Sequence, residues 1–264
     1  MERIATATST VDYDKVAPAY DLRYASTQYS GIAEALLRFV TASPQLRVLE
    51  VGCGTGHWLS VLAREGLPAI GLDASLGMLA QARANQVRTG IANGRAEQLP
   101  WRDRWFDRVA CINAFHHFTD KAAFLAEARR VLRPGGGVMI VSLDPQLGMD
   151  RWAIYDYFPA TLDNDRRRYP TGSAIRAQLE AAGFERCETA LAERIELTLP
   201  ALTALDNGLL DQRFTSQLTL LSVDDYRAGL DRIRADATQA EQRGESLELV
   251  TDVHLFATLA WLPR

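Results

Sequence analysis

A carboxylate, three glycines at alternate positions and an imidazole follow one another in residues 50–57, EVGCGTGH. Glycine lets a backbone approach a ligand with no Cβ in the way. Glu50, just ahead of Gly52, Gly54 and Gly56, suits a positively charged ligand group better than a pyrophosphate. A second acid, Asp73, closes the apolar run Ala69–Asp73. There it can accept hydrogen bonds from the two vicinal hydroxyls of a ribose or cap the helix that follows. Two adjacent histidines, His116 and His117, lie in NAFHHF, residues 113–118. An imidazole of ordinary basicity can take a proton from a nucleophile near neutral pH. The same pair can instead pack against a ligand or a covering loop.

The spacing narrows what the glycines can hold. A phosphate-binding loop needs Lys and then Ser or Thr after its last glycine, and His57-Trp58 stand there. The dinucleotide fingerprint GxGxxG needs a third glycine at position 57. Both readings fail on His57, which leaves a GxGxG turn with or without a ligand.

These residues need a scaffold, and the chain predicts one. Strands are expected at Arg47–Val51, Ala69–Asp73, Ile91–Arg95, Phe106–Asn113 and Gly137–Leu143. Helices are expected at Gly31–Val40, Trp58–Arg64, Ser75–Val87 and from about Asp120 to Leu132, with turns at Ser43-Pro44 and Arg133–Gly136. Such alternation predicts a parallel sheet with helices on both faces. After Leu143 the rhythm breaks. Residues 144–172 do not read as one regular element, Ser173–Ala182 reads as a helix, and 200–244 as largely helical. Phe184–Leu199 and Leu247–Leu262 read as two further strands. Both irregular stretches are expected to be lids. One domain follows, with an N-terminal cap (10–42), a core (43–143) and lid insertions (144–172 and 200–244).

With 264 residues, 47% of them hydrophobic, the chain can bury a large core. Its net charge of −4 disfavours nucleic acid as a partner. Cys53, Cys111 and Cys187 are far apart, form no CxxC pair and suit a reducing compartment. No metal site is suggested, and no run of about 18 apolar residues predicts a membrane span. The N-terminus lacks an apolar signal-like stretch. A cytoplasmic protein, monomeric or homodimeric, is expected.

Taken in order, EVGCGTG (50–56), GLDAS (71–75) with Met78, GRAEQLPW (94–101), FDRV (106–109) and LRPGG (132–136) carry a resemblance. The chain resembles the class I S-adenosylmethionine-dependent methyltransferases, in particular the small-molecule branch that includes the quinone methyltransferases. The resemblance covers about residues 10–190, and the final 70 only in outline. It implies a Rossmann-like, seven-stranded, mostly parallel sheet whose last strand is antiparallel. It implies S-adenosyl-L-methionine as cofactor and methyl transfer to an O, N, C or S atom of a small-molecule metabolite or natural-product scaffold.

The resemblance also implies roles. Gly52, Gly54 and Gly56 would lie against the methionine part of the cofactor, and Glu50 would interact with its ammonium. Asp73 would bind the ribose hydroxyls, and Ala74 and Met78 would cover the adenine. Ala96 would donate its backbone N–H to the adenine ring, and Asn113 would line the sulfonium region. In the family a stretch like YDxxAxxYD folds over the cofactor, a role expected of Tyr20. Arg95 departs from the pattern, because Asp often stands there to accept from the adenine amine, and Arg cannot accept. Arg95 is expected to point outward, leaving Glu97 or water to meet the amine. His117, or else His116, is the expected base.

Three features stay open at the level of sequence. DRRRY (165–169) reads as a solvated face; were it to line the pocket, an anionic acceptor would follow. Trp152, Tyr155, Tyr157 and Phe158 would roof a hydrophobic substrate or form the lid's own core. His254 reads as structural. Rival functions are a non-catalytic S-adenosylmethionine-binding regulator, a nicotinamide oxidoreductase and a nucleic-acid methyltransferase. The last lacks the N/D-P-P-Y-like segment of amino-directed nucleobase enzymes.

Overall fold

A computed structural model describes residues 11–26, 29–40, 46–87 and 89–264. The turn expected at Ser43-Pro44, the first residue of the expected cap and positions 41–43 at its border with the core lie outside the described residues. The chain opens with short helices α1 (Tyr13–Val16) and α2 (Leu22–Ser26), then α3 (Ser30–Val40). The core follows as β1 (Val48–Val51), α4 (His57–Arg64), β2 (Ala69–Asp73), α5 (Leu76–Ala84), β3 (Gly90–Asn93), β4 (Phe106–Ile112), α6 (Lys121–Val131) and β5 (Leu132–Leu143). Beyond it come β6 (Arg151–Trp152), α7 (Ala153–Tyr157), α8 (Ala160–Arg168), α9 (Gly172–Ala181), β7 (Glu185–Pro200), α10 (Ala201–Asp206), α11 (Ser216–Thr219), α12 (Val223–Gln242) and β8 (Glu248–Trp261).

The strands form one sheet in the order β3-β2-β1-β4-β5-β8, with β6 and β7 both paired to β8. Strands β1 to β5 are mutually parallel. β8 runs antiparallel to β5 and to β7, as expected of the last strand. The sheet has eight strands rather than seven, because the two residues of β6 pair with Thr251 and Asp252.

All four residues of β1 are buried, the mark of a strand covered on both faces. Leu49 and Val51 pack with Phe124, Leu125 and Leu179 on one face. Val48 packs with Leu36, Trp58 and Leu59 on the other. By alternation Glu50 shares the face of Val48, beneath α4. Ser75 starts α5 by accepting the Met78 N–H at 3.0 Å, and Asp120 starts α6 by accepting that of Ala123 at 2.9 Å. The turn expected at Arg133–Gly136 lies inside β5 as an irregularity: Phe106 faces Leu132, whereas Arg108 already faces Gly137. The displaced backbone is held by the C-terminal residues, Gly135 N–H donating to the Pro263 carbonyl at 2.9 Å.

Candidate active site

At the carboxyl ends of β1, β2 and β4 the chain turns around a cleft of about 810 Å³. Its floor is the glycine turn. The N–H groups of Gly52 and Cys53 both donate to the Leu72 carbonyl, at 2.8 and 3.0 Å, tying the turn to β2. Gly52 has φ +77° and leaves no room for a Cβ, which would lie 2.3 Å from that of Ala114. Gly56 also has positive φ, +79°, but a Cβ there would strike Val87 at 2.5 Å. Its conformation serves packing between α4 and the turn after α5, and Gly56 does not line the cleft.

Asp73 does line it. Its Oδ2 accepts the Gly54 N–H at 2.8 Å and its Oδ1 that of Ser75 at 2.9 Å. One donor on each oxygen fixes the carboxylate and leaves lone pairs for two further donors. Burial raises its pKa, against the pull of those N–H groups. Glu50 stands behind the wall, 1% exposed, beneath the start of α4. Burial, and then the charge of Asp73, push its carboxyl well above the ordinary range.

The expected adenine end is also on the cleft wall, in Ala74, Met78, Ala96 and Glu97. Met78 is 1% exposed and packs on Val16 and Ala17 of the N-terminal segment, so it serves wall and core together. The Arg95 side chain is 67% exposed, with Nε 3.3 Å from Glu97 Oε2. Glu97 Oε1 accepts the N–H groups of Thr119 and Asp120, so this carboxylate already braces the start of α6.

A second cavity, about 180 Å³, adjoins the cleft. Its walls are mostly apolar, with Arg23, Ser216 and Gln217 among them, and come from segments distant in sequence. Ile195, Leu197 and Leu199 of β7 face Val253, Thr251 and Leu249 of β8 in register, with Trp152, Ile154 and Leu210 around them. Of the four lid aromatics only Trp152 lines the chamber. Tyr155 donates to Asp165 and Tyr157 to Asp236, both at 2.9 Å, while Phe158 sits in the lid core.

Five residues line both cavities: Tyr13, Tyr20, Asn113, His116 and His117. Asn113 leaves β4 with φ +53°, its N–H donating to the Val141 carbonyl at 2.9 Å. The next turn presents both histidines. His117 Nε2 is 2.5 Å from the Tyr13 hydroxyl. His116 stacks on Tyr169 at 3.8 Å, and among the described residues neither of its ring nitrogens has a hydrogen-bond partner. Burial lowers His117 to about 3, helped by the charges of Arg168 and Lys121. Burial, and then His117, hold His116 well below its usual value. Both rings are neutral at physiological pH. Desolvation raises Tyr13 well above 10, so its phenol stays protonated.

The cleft thus brings together eleven of the thirteen candidate residues, and Glu50 and Gly56 stand off its wall. Tyr13 enters through its position on the shared wall. The basic run divides: Arg166 and Arg167 are exposed, whereas Arg168 turns inward to Asp165, which is fully buried. His254 is structural, its Nδ1 3.0 Å from Asp150. Among the described residues no helix is long and apolar enough to cross a membrane, and no group of three His, Cys, Asp or Glu side chains could hold a metal ion.

Residues 49–140 match the family described as a methyltransferase domain. A phthiotriol/phenolphthiotriol dimycocerosates methyltransferase of Mycobacterium ulcerans is 41% identical over 110 residues, covering 40% of this chain and 41% of that protein. A ubiquinone biosynthesis O-methyltransferase of Azorhizobium caulinodans is 31% identical over 154 residues, covering 55% and 61%. The chain spans about half the length of the curated relatives it matches. Among solved structures, a Haemonchus contortus phosphoethanolamine N-methyltransferase in complex with S-adenosyl-L-methionine superposes with a TM-score of 0.60. It is 20% identical, and the match covers 95% of this chain and 57% of that one, a likeness of fold alone.

Proposed function

The chain carries a class I S-adenosylmethionine-dependent methyltransferase domain, and we propose that it transfers a methyl group from S-adenosylmethionine to a small molecule with an apolar body. One observation carries the reading: a polar cleft and a mostly apolar chamber share a wall of five residues. Donor and acceptor approach from opposite sides of such a wall, and in-line displacement depends chiefly on that positioning.

In this reading the cleft holds the donor. Asp73 takes the ribose hydroxyls on the lone pairs that Gly54 and Ser75 leave open. The Ala96 N–H reads the adenine ring, and Ala74 and Met78 cover its face. Glu50 acts on the cofactor's ammonium as a buried acid just behind the wall. Asn113 and Tyr20 flank the sulfonium end. Bound there, the cofactor supplies a methyl group made electrophilic by its sulfonium.

The proton of a hydroxyl acceptor goes to His117 Nε2, with Tyr13 as the hydroxyl between. An imidazole held near 3 cannot ionise an alcohol in advance. A methylated hydroxyl is an oxonium, however, and far more acidic than even this imidazolium. The proton therefore leaves with or after methyl transfer, and a weak base suffices. The acceptor is a metabolite or natural-product-sized molecule rather than nucleic acid, which the net charge of −4 favours. The protein acts in the cytoplasm as a monomer or homodimer.

Calorimetry with S-adenosylhomocysteine against NADH tests the donor half, with micromolar binding of the first alone expected. Initial rates with methyl-labelled S-adenosylmethionine on hydrophobic phenols, quinols and enols test the acceptor half. Failure to bind S-adenosylhomocysteine sinks the proposal. Binding with no turnover on any acceptor turns the protein into a cofactor-bound regulator.

A further inference from the structure

The chamber follows the length of the β7–β8 ribbon. Ile195 faces Val253, Leu197 faces Thr251 and Leu199 faces Leu249, and all six line the space. These three rungs span four residues of strand, about 13 Å. Leu255, the next residue on that face of β8, pairs with Leu143 at the end of β5, and both line the chamber as well. The ribbon therefore carries the space from the carboxyl edge of the core out into the lid. On its other face Arg194 pairs with Asp252 at 2.7 and 2.9 Å.

The two ends of the chamber differ in polarity. Its polar lining gathers toward the wall shared with the cleft. Arg23 lies over the Tyr20 ring at 3.6 Å, Gln217 reaches the Tyr169 hydroxyl at 3.4 Å, and Tyr169 stacks on His116. The far rung instead meets Ala204 and Leu210, which with Leu249 belong to the lid's own core. Thr251 is the one polar side chain among the six rung residues. Ile195, Leu197 and Leu199 are only half-buried, apolar surface that the chain itself does not cover. Shape adds to this. A compact apolar cavity of about 150 Å³ takes up one benzene ring. Here about 180 Å³ is drawn out along three rungs, which suits a narrow occupant and not a fused polycycle.

We propose that the acceptor is a head-and-tail molecule, with its methylated group at the shared wall and a linear hydrocarbon chain laid along the ribbon. This deepens the methyl-transfer reading and rests on it for the head, which lies toward Tyr13 and His117. The tail site is a property of the chamber alone. Each strand residue contributes three backbone bonds, so an extended chain of about ten carbons matches the three rungs. Leu197 and Thr251, halfway along, determine how long a tail the chamber accepts.

The test is calorimetric titration of the full chain with 4-alkylphenols from ethyl to dodecyl, with and without S-adenosylhomocysteine. The compact control is 4-(1-adamantyl)phenol, which has as many tail carbons as 4-decylphenol. Affinity is expected to rise about threefold per methylene and to level off near a tail of about ten carbons. The adamantyl compound should bind at least about tenfold more weakly than the decyl one. Leu197→Phe fills the middle rung and should bring the plateau down to about five carbons, with S-adenosylhomocysteine affinity unchanged. Thr251→Phe fills the same rung from the opposite strand and carries the test if the first variant fails to fold by thermal melt. No binding of any phenol, a series flat in chain length, adamantyl binding equal to decyl, or a plateau that neither variant moves overturns the proposal. Binding of S-adenosylhomocysteine without chain dependence removes the tail site alone. A plateau without S-adenosylhomocysteine binding removes the methyl-transfer reading and leaves the tail site standing.

Discussion

Tyr13 and His117, 104 residues apart in the chain, meet through a 2.5 Å hydrogen bond and an edge-to-face ring contact with centroids 5.0 Å apart. The contact ties the N-terminal segment to the turn leaving β4, at the wall where both cavities end. Tyr13→Phe keeps the ring and drops the hydrogen bond. It is expected to lower kcat about tenfold, and His117→Ala about a hundredfold. S-adenosylhomocysteine affinity should stay within about twofold in both, by calorimetry. Unchanged rates would remove the pair from the reaction.

The low basicity of His117 has a consequence for acid stability. Its folded pKa, about 3, lies below its unfolded value near 6.5, so on acidification the unfolded chain takes up the proton first. Stability is lost as pH falls through that window, by up to about 1.4 kcal/mol per pH unit for each such histidine. His116 shifts in the same direction, as does His57, to about 4. Urea midpoints at pH 7 and pH 5 should fall less in His117→Gln than in wild type. The rate profile should show no inflection near 6.5.

Glu50 works in the opposite sense. Its pKa is raised in the fold, so the stability present below about 4.5, the unfolded value, is lost as pH rises. Glu50→Gln is expected to stabilise the cofactor-free protein at pH 8 by about 1–2 kcal/mol, with the gain vanishing toward pH 4. It should also weaken S-adenosylhomocysteine binding about tenfold, the charge having been removed. A variant that binds as well as wild type would leave Glu50 no part in cofactor recognition.

Gly56 and Asp73 separate folding from binding. Gly56→Ala forces a side chain into left-handed backbone and against Val87, at a cost of about 2–3 kcal/mol in a chemical melt. The folded fraction should keep its S-adenosylhomocysteine affinity. Asp73→Ala should lose at least about tenfold in affinity with a smaller loss of stability. The reverse pattern would move the ligand from Asp73 to the turn.

How far the sequence could be read depended on how local the cause was. β1 and the glycine turn were legible because an apolar run, an acid and three glycines specify them within ten residues. Ala74, Met78, Ala96 and Glu97 were expected at an adenine end from the resemblance alone, and they line the cleft. β3 was faint because Gly90–Asn93 is a half-exposed edge with little apolar pattern. The irregularity in β5 needs β4 on one side and the Pro263 carbonyl on the other. β6 exists only through its pairing with β8. Arg168 was hidden for a similar reason: in RRR all three look alike, and only helical phase against a buried Asp165 turns one of them inward. Glu50 and Gly56 carry the right residue types for the motif, yet their side of β1 and of the turn faces α4 and Val87 rather than the cleft.

The chamber walls contributed by β7 and β8 are alternate residues of a two-stranded ribbon, while the residues between them face elsewhere. The ribbon pairs with the parallel core through β5 and lies outside the matched segment 49–140. Exchanges at Ile195, Leu197, Thr251 or Val253 would therefore reshape the chamber while the glycine turn and Asp73, in the matched segment, keep their own surroundings.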